Sequence, residues 1–547
     1  MPSGSPWPRM ADTIATLLRG ANLRQRAFRI AARLQTLQGR KRLAVAAGLG
    51  AFSVLAYGPF YFWPVLFLTL TTLIWLIDGA RAADRPRLQA ALIAWAFGFG
   101  YFLAGLHWVG FAFVVDVERH AWLLPFVAVL FPGGLALFFA GAAAIARLQW
   151  SAGPARIVTF AAALAAFEWV RGHLFTGLPW NLPGNVWDGW DPMFQTVSLF
   201  GIYGLSFVTL LIAMSPATIV DADGKPSGWW PLGAAGGVLA AMLLFGWLRL
   251  PSGPVPTVEN VALRIVQPNV PQSEKWKPEL MERNWRGLLD LTREPGLETR
   301  THVIWPEAAP PFLMLAEPVA FQVIAQILPD RTTLLTGVAR SQGQGPERKY
   351  FNSMTAVTGR GEVLAVYDKA HLVPFGEYLP FFWLLEPLGV TKITGGREGY
   401  SEGPGVRTLT IPGTPAFGPL ICYEVIFPGA VVETGRRPDW LVVLTDDSWF
   451  GPWTGPYQHL GIAKIRAAEE GLPIVRAANT GVSAVIDPYG RIVTSLGLDR
   501  MGIVDAMMPK PLAPTVYAQF GDIIFALMLV IGASVSSFFY RSSSQDC

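Results

Sequence analysis

Three residues in the second half of the chain have the types needed for covalent acyl transfer, and each follows a short apolar run. Glu307 follows Val303-Ile304-Trp305-Pro306, Lys369 follows Val366-Tyr367-Asp368, and Cys422 follows Gly418-Pro419-Leu420-Ile421. A thiol becomes a strong nucleophile once its proton leaves. A carboxylate can take that proton, and a lysine ammonium both favours the thiolate and can sit where an oxyanion develops. The backbone N–H of Tyr423, directly after the thiol, is a natural second donor. Taken singly, each residue has a plainer reading: a packed cysteine, a strand-end carboxylate, a solvated loop lysine. Each follows a strand-like run, so the three could converge, because ligands gather at the carboxyl ends of strands in sheet-based enzymes. What sets them apart is the wording around all three, in order.

The elements that must position them lie in residues 251–508. This stretch holds 50 charged residues in 258, about 19%, close to soluble composition, whereas 43–250 holds 18 in 208, about 9%. Short β-branched runs predict strands at Val261–Val266, His302–Trp305, Thr333–Val338, Met354–Val357 and Val363–Tyr367. Further strands are predicted at Val406–Ile411, Pro419–Ile421, Leu441–Leu444, Ile474–Arg476 and Ser483–Ile486. Helical spacing marks Lys277–Thr292, Pro318–Leu328 and Tyr457–Glu470. The expectation is an enzyme-sized α+β or α/β domain.

The rest of the chain is read as a polytopic helical membrane bundle. Apolar stretches near the roughly 20 residues a bilayer requires run over 43–57, 60–78, 88–113, 121–147, 155–174, 194–220 and 229–250, with an eighth at 519–540. Residues 1–42 carry nine basic side chains against Asp12 alone, a local charge of +8 within a chain of net +4. Arg81, Arg85, Arg87, Arg147 and Arg156 fall on the same face as that segment. The positive-inside rule then places the N-terminus in the cytoplasm and 251–508 outside. The expected units are a basic segment 1–42, a seven-span bundle 43–250, an extracytoplasmic domain 251–508, and an eighth helix with a cytoplasmic tail at 509–547. Ile14, Leu17, Leu18 and Ala21 recur at helical spacing among arginines, which suits the anionic inner leaflet. A basic tail serving topology alone is the alternative.

Composition excludes several classes. Two cysteines, Cys422 and Cys547, cannot build a disulfide framework or a four-thiolate zinc site. Six scattered histidines have no metal-ligand spacing, so no catalytic metal is expected; no phosphate-cradling glycine loop indicates a nucleotide, and no cofactor is expected. The basic charge is confined to one tail, so nucleic acid is not an expected partner. Glu168 and Arg171 stand three apart on a helix and should pair.

The wording around the three residues resembles the carbon–nitrogen hydrolase (nitrilase) superfamily. Pro306-Glu307, Asp368-Lys369 and Ile421-Cys422-Tyr423-Glu424 match its ordered Glu-Lys-Cys motifs, which sit on an αββα sandwich. Seven spans before such a domain and one after it resemble the apolipoprotein N-acyltransferases of bacterial lipoprotein maturation. Gln267 through Gln272 with Lys275-Trp276, Lys369 through Tyr378, Ser448-Trp449-Phe450-Gly451, Gly455 through His459 and Asn479-Thr480-Gly481-Val482 extend the likeness. The chain departs from that pattern at 446, where Asp stands in place of Asn, and in a longer basic N-terminal segment.

The resemblance implies a multi-pass protein of the bacterial inner membrane with its catalytic domain on the periplasmic side. It implies a ping-pong reaction in which Cys422 takes the sn-1 acyl chain of a phospholipid, phosphatidylethanolamine above all, as a thioester. The N-terminal amine of a diacylglyceryl-cysteine apolipoprotein then receives it. Glu307 would be the base and Lys369 the oxyanion partner, with Glu377 a second carboxylate and Trp276, Tyr423 and Glu424 in support.

The residues themselves favour a lipid substrate, because Pro311–Leu315 and Leu379–Leu385 are apolar runs in a polar domain. Phe312, Leu313, Phe381, Phe382, Trp383, Trp449 and Phe450 are the candidate lipid contacts. A membrane-tethered amidase for a small substrate is the competing enzyme reading. A transporter or receptor would leave Cys422 dispensable.

Overall fold

The computed structural model describes residues 21–221, 228–390, 392 and 399–545. Ile14, Leu17, Leu18 and Cys547 therefore lie outside the described residues.

All eight apolar stretches contain helix: α2 (Gly39–Ser53, after a basic α1 at Ala21–Gln35), α3 (Val65–Asp78), α4 (Pro86–Gly105), α5 (Leu124–Ala146), α6 (Ala155–His173), α7 (Val197–Met214), α8 (Trp230–Arg249) and the last one, Ile523–Gln545. Among the described residues, six helical segments are long and apolar enough to cross a membrane: Val65–Ala82, Pro86–Gly105, Val117–Gln149, Val197–Ile219, Trp230–Arg249 and Ile523–Tyr540. The other two differ for visible reasons. Helix α2 has only 15 residues and opens on Arg40-Lys41-Arg42, and α6 carries Arg156, Glu168 and Arg171.

The three α6 charges are buried inside the bundle and each is paired with an opposite charge, as apolar surroundings demand. Arg171 pairs with Glu168, as their spacing predicts, and Arg156 reaches Asp221 at 2.7 Å and Asp78 at 3.3 Å. Helices α3 and α7 form the centre of the bundle. Helices α5 and α8 instead leave Leu130, Leu137, Trp247 and Leu248 exposed, the outward apolar faces that a bilayer would cover.

Residues 257–509 form two sheets. The first has six strands in the order β11-β1-β2-β3-β4-β5, with β1 Thr257–Gln267, β2 His302–Trp305, β3 Thr333–Gln342, β4 Lys349–Thr358, β5 Val363–Asp368 and β11 Gly502–Pro509. The second has the order β10-β9-β8-β7-β6, with β6 Phe417–Ile421, β7 Trp440–Thr445, β8 Ile474–Ala478, β9 Ser483–Ile486 and β10 Ile492–Leu496. Strands β1–β2–β3 and β6–β7–β8 run parallel. Parallel strands are covered on both faces, which is why β7 reads as an unbroken apolar run.

Alternation assigns the faces. Trp440, Val442 and Leu444 meet Ile304, Leu335 and Met354 between the sheets, whereas Leu441 and Val443 face the helical side. Helices α9 (Met281–Thr292) and α10 (Pro318–Ile327) cover the first sheet through Val303, Trp305 and Leu334. Helix α11 (Thr454–Glu470) covers the second and packs on the bundle; Ile523–Gln545 is therefore α12. The result is the αββα sandwich. The strand expected at Val406–Ile411 is absent: only Leu409 makes an isolated bridge, to Phe417. Pro412 and Gly413 follow the run directly, and both strands that the periodicity missed, β10 and β11, lie beyond the last predicted run.

One backbone break ties the bundle to the sandwich. Gly201 interrupts α7 with φ +68°, and a Cβ there would meet the Tyr517 ring at 2.2 Å. The N–H of Ile202, freed by the break, donates to Glu469 Oε1 of α11 at 2.7 Å. A buried donor left without such a partner would cost roughly 1–3 kcal/mol.

Candidate active site

Glu307 leaves the end of β2 in a crowded turn. Ala308 has φ +45°, a conformation that costs a side-chain-bearing residue about 1 kcal/mol or more. Gly337 of β3 presses against it: a Cβ at 337 would lie 2.5 Å from the Glu307 Cα and 2.6 Å from the Ala308 nitrogen. The turn is stitched by Gly337 N–H to Pro306 O at 3.1 Å and Ala309 N–H to Gly337 O at 3.0 Å.

The Glu307 carboxylate is held from two elements. Asn352 of β4 donates to Oε1 at 2.7 Å, and the backbone N–H of Asp446, just past β7, donates to Oε2 at 2.8 Å. Lys369 follows β5 and is almost wholly buried. Its Nζ lies 2.9 Å from Glu377 Oε2 and 3.9 Å from Glu307 Oε1. Asn352 also donates to Glu377 Oε1 at 2.8 Å, so one amide joins both carboxylates.

Cys422 stands one residue past β6, buried, with φ +50°, an elbow conformation kept by its neighbours. Glu424 is the main brace. Its Oε2 accepts the Ile421 N–H at 2.6 Å, and its Oε1 accepts the Tyr367 hydroxyl at 2.8 Å and the Ala370 N–H at 2.7 Å. A single buried carboxylate thus ties the turn of the cysteine to the turn of the lysine. On the other side, the Cys422 carbonyl meets His459 Nε2 at 3.3 Å. His459 is backed by Asp447 at 3.0 Å, and Asp447 by Arg476 at 2.5 Å.

The electrostatics follow from burial. Burial pushes the Cys422 thiol up, the Glu307 carboxylate pushes it further, and Lys369 only partly offsets them. Burial also raises Glu307, as do Glu377 and Asp446, against the pull of Lys369. Burial opposes the Lys369 charge, yet Glu377, Glu307 and Cys422 hold its pKa above the ordinary value, so it stays an ammonium. A raised carboxyl pKa makes Glu307, once ionised, a stronger base towards the neutral thiol.

These groups open into a cavity of about 2550 Å³. Glu307, Lys369, Glu377, Cys422, Tyr423 and Trp276 line one end, and Phe126, Leu130, Phe138 and Phe167 of α5 and α6 line the other. Leu313, Phe381, Trp449 and Phe450 line it too. Phe312 does not: it packs edge-to-face on Trp285, 5.1 Å away, beneath the outer helices. Phe382 and Trp383 stand exposed outside the lining, next to Phe381. Glu424 lies behind the site and acts through the backbone. Tyr423 donates its hydroxyl to Gly177 O at 2.7 Å, and His371 meets Thr176 O at 2.8 Å, so a loop of the bundle is clamped to the elbow.

Asn352 and Asp447 are candidate-site residues that the motif reading did not mark, and it named Lys275 and Asp446 without their pairing. Asn352 carried a usable signal, because a buried Asn within an apolar strand is disfavoured unless its amide is used. Among the described residues, no group of His, Cys, Asp and Glu could hold a metal ion.

Known proteins resemble the chain over both halves. The family model for the apolipoprotein N-acyltransferase N-terminal domain matches residues 49–215, and that for carbon–nitrogen hydrolase matches 263–513. The apolipoprotein N-acyltransferase of Rhodopseudomonas palustris is 45% identical over 515 residues, 92% of this chain and 96% of that protein. That of Bradyrhizobium diazoefficiens is 45% identical over 519 residues, 93% of this chain and 96% of its own. Among solved structures, an amidase from Nesterenkonia sp. aligns with a TM-score of 0.33 and 20% identity, over 49% of this chain and 96% of that one.

Proposed function

The chain belongs to the apolipoprotein N-acyltransferase family, and on that premise we propose that it moves an acyl chain from a membrane phospholipid to the N-terminal amine of a lipoprotein. It is a multi-pass membrane protein of the carbon–nitrogen hydrolase superfamily. The bundle 43–250 and the helix within 509–547 sit in the bacterial inner membrane, with 1–42 cytoplasmic and 251–508 on the periplasmic side. The basic N-terminal segment and arginine-bearing loops support that orientation.

In the first half-reaction, the Cys422 sulfur attacks the sn-1 ester carbonyl of a phospholipid, with phosphatidylethanolamine as the expected donor. The thiol proton passes to Glu307, and the oxyanion is met by Lys369 Nζ and the Tyr423 N–H. Collapse breaks the ester C–O bond, and Glu307 returns the proton to the departing lysophospholipid. In the second, the neutral α-amine of a diacylglyceryl-cysteine acceptor attacks the thioester. Glu307 accepts the amine proton, the C–S bond breaks, and the thiol is regenerated as the amide forms. Glu377 holds Lys369 and, through Asn352, Glu307.

The observation that carries this reading is the continuity of the cavity. A small-amide hydrolase needs room for a few atoms, whereas this one runs from Cys422 to apolar residues of α6 and of α5, which lies in a segment long and apolar enough to cross a membrane. Burial there also limits hydrolysis of the thioester before an amine arrives. Incubation with phospholipid labelled in the sn-1 chain should leave a hydroxylamine-releasable label on the wild type and none on Cys422→Ala. Equal labelling of both, or none on the wild type, would refute it.

A further inference from the structure

Lys275 is a buried lysine that the reaction above does not use. It lies in the short helical turn 272–275 after β1, 4% exposed, and its Nζ makes two bonds that span the sandwich. It donates to the Glu307 backbone carbonyl at 3.0 Å and to Asp446 Oδ2 at 2.5 Å. Glu307 leaves the first sheet and Asp446 leaves the second. The same Asp446 gives its backbone N–H to the Glu307 carboxylate and receives Asn479 Nδ2 and the Ser448 hydroxyl on Oδ1. The carbonyl that Lys275 holds belongs to the peptide leading into Ala308, whose φ is +45°.

We propose that Lys275 and Asp446 form a charged positioning couple for the base, Lys275 fixing the turn of Glu307 and cancelling the carboxylate that Asp446 brings beside it. The inference rests on the reading of Glu307 as the base. The groups facing Glu307 are Lys275 after β1, Asn352 of β4, Lys369 after β5, Glu377 and Tyr400 beyond it, Cys422 after β6, and Asp446 after β7. With the thiol neutral, three carboxylates face two ammoniums. Loss of Lys275 leaves three carboxylates against one, and a buried Glu307 then holds its proton to higher pH. Loss of the Asp446 charge has the opposite sign. Asn at 446 keeps one oxygen acceptor where Asp446 uses two, for Lys275 on Oδ2 and for Asn479 and Ser448 on Oδ1. The substitution therefore removes one hydrogen bond along with the charge, and the direction of the limb reports the charge.

The test is the pH profile of acyl-adduct formation by the full-length protein with sn-1-labelled phospholipid. Lys275→Met should move the acid limb to higher pH by about one unit or more. Asp446→Asn alone should move it to lower pH. Lys275→Met combined with Asp446→Asn should bring it back towards the wild-type position, although the rate stays reduced because the Glu307 carbonyl loses its donor. A limb that stays put in Asp446→Asn, or in a folded Lys275→Met, overturns the proposal. So does a double variant displaced as far as Lys275→Met. Glu307→Gln, run alongside, separates the two claims. If it forms adduct at the wild-type rate, the base assignment fails; if it is inactive while the limbs do not move, only the couple fails.

Discussion

At the scale of single residues, the proposed function turns on a proton passed between Cys422 and Glu307. Glu307→Gln should slow adduct formation by about two to four orders of magnitude, the usual worth of a general base, as measured by rapid-quench labelling. Because burial raises the Glu307 carboxyl, the acid limb of that rate should lie above the ordinary carboxylate value of about 4.3. The base works only when ionised, so activity falls as pH drops through the raised value.

A second titration concerns stability. His302 is held neutral between the Thr301 and Thr414 hydroxyls, each at 2.8 Å, and burial brings its pKa down to about 4. Its folded value lies below the unfolded one, so its contribution is complete above about pH 6.5 and is lost as pH falls through 4, roughly 3 kcal/mol in all. His302→Gln should therefore lose less thermal stability between pH 7 and pH 4, which a melting series measures. The sequence showed Glu307, Lys369 and Cys422 because their types are chemical and their flanks strand-like. It hid Asn352 and the Lys275–Asp446 couple because their roles arise only when separate strands are brought side by side.

At the scale of elements, precision comes from turns that are braced from outside. Gly337 has no side chain because the Glu307 turn occupies that space. Gly337→Ala should displace the turn, slowing adduct formation at least tenfold and costing about 1–3 kcal/mol of stability; melting and labelling rates read the two effects separately. Glu424 braces the two turns bearing Cys422 and Lys369 with one carboxylate, a role its place in the motif could suggest but not describe. Apolar runs marked the buried strands of both sheets well, because such strands are hydrophobic on both faces. Strands β10 and β11 escaped because their exposed, mixed residues carry little of that pattern. Phe312 misled for the converse reason: an apolar residue beside a catalytic one looks like a substrate contact until the Trp285 ring is seen to cover it.

At the scale of the whole molecule, the bundle and sandwich share one cavity, and neither half encloses it alone. Low charge announced the bundle, and the charge contrast separated it from the sandwich. Neither could show that the α5–α6 wall would meet Cys422, because that depends on Tyr423, His371 and Glu469 docking across the interface. Orientation is open to direct test. In a background lacking both Cys422 and Cys547, a cysteine placed at Asp330 should react with an impermeant maleimide from outside the inner membrane, and one at Arg85 only after permeabilisation. The central claim, transfer through an enzyme-bound thioester, is tested most directly by a chase. Wild-type protein charged with labelled acyl chain is separated from lipid and mixed with a diacylated lipopeptide bearing a free N-terminal amine. The account predicts that label leaves Cys422 and appears as an amide on the lipopeptide, and that blocking the amine leaves the adduct in place. Release as free fatty acid at the same rate with and without the amine would contradict it.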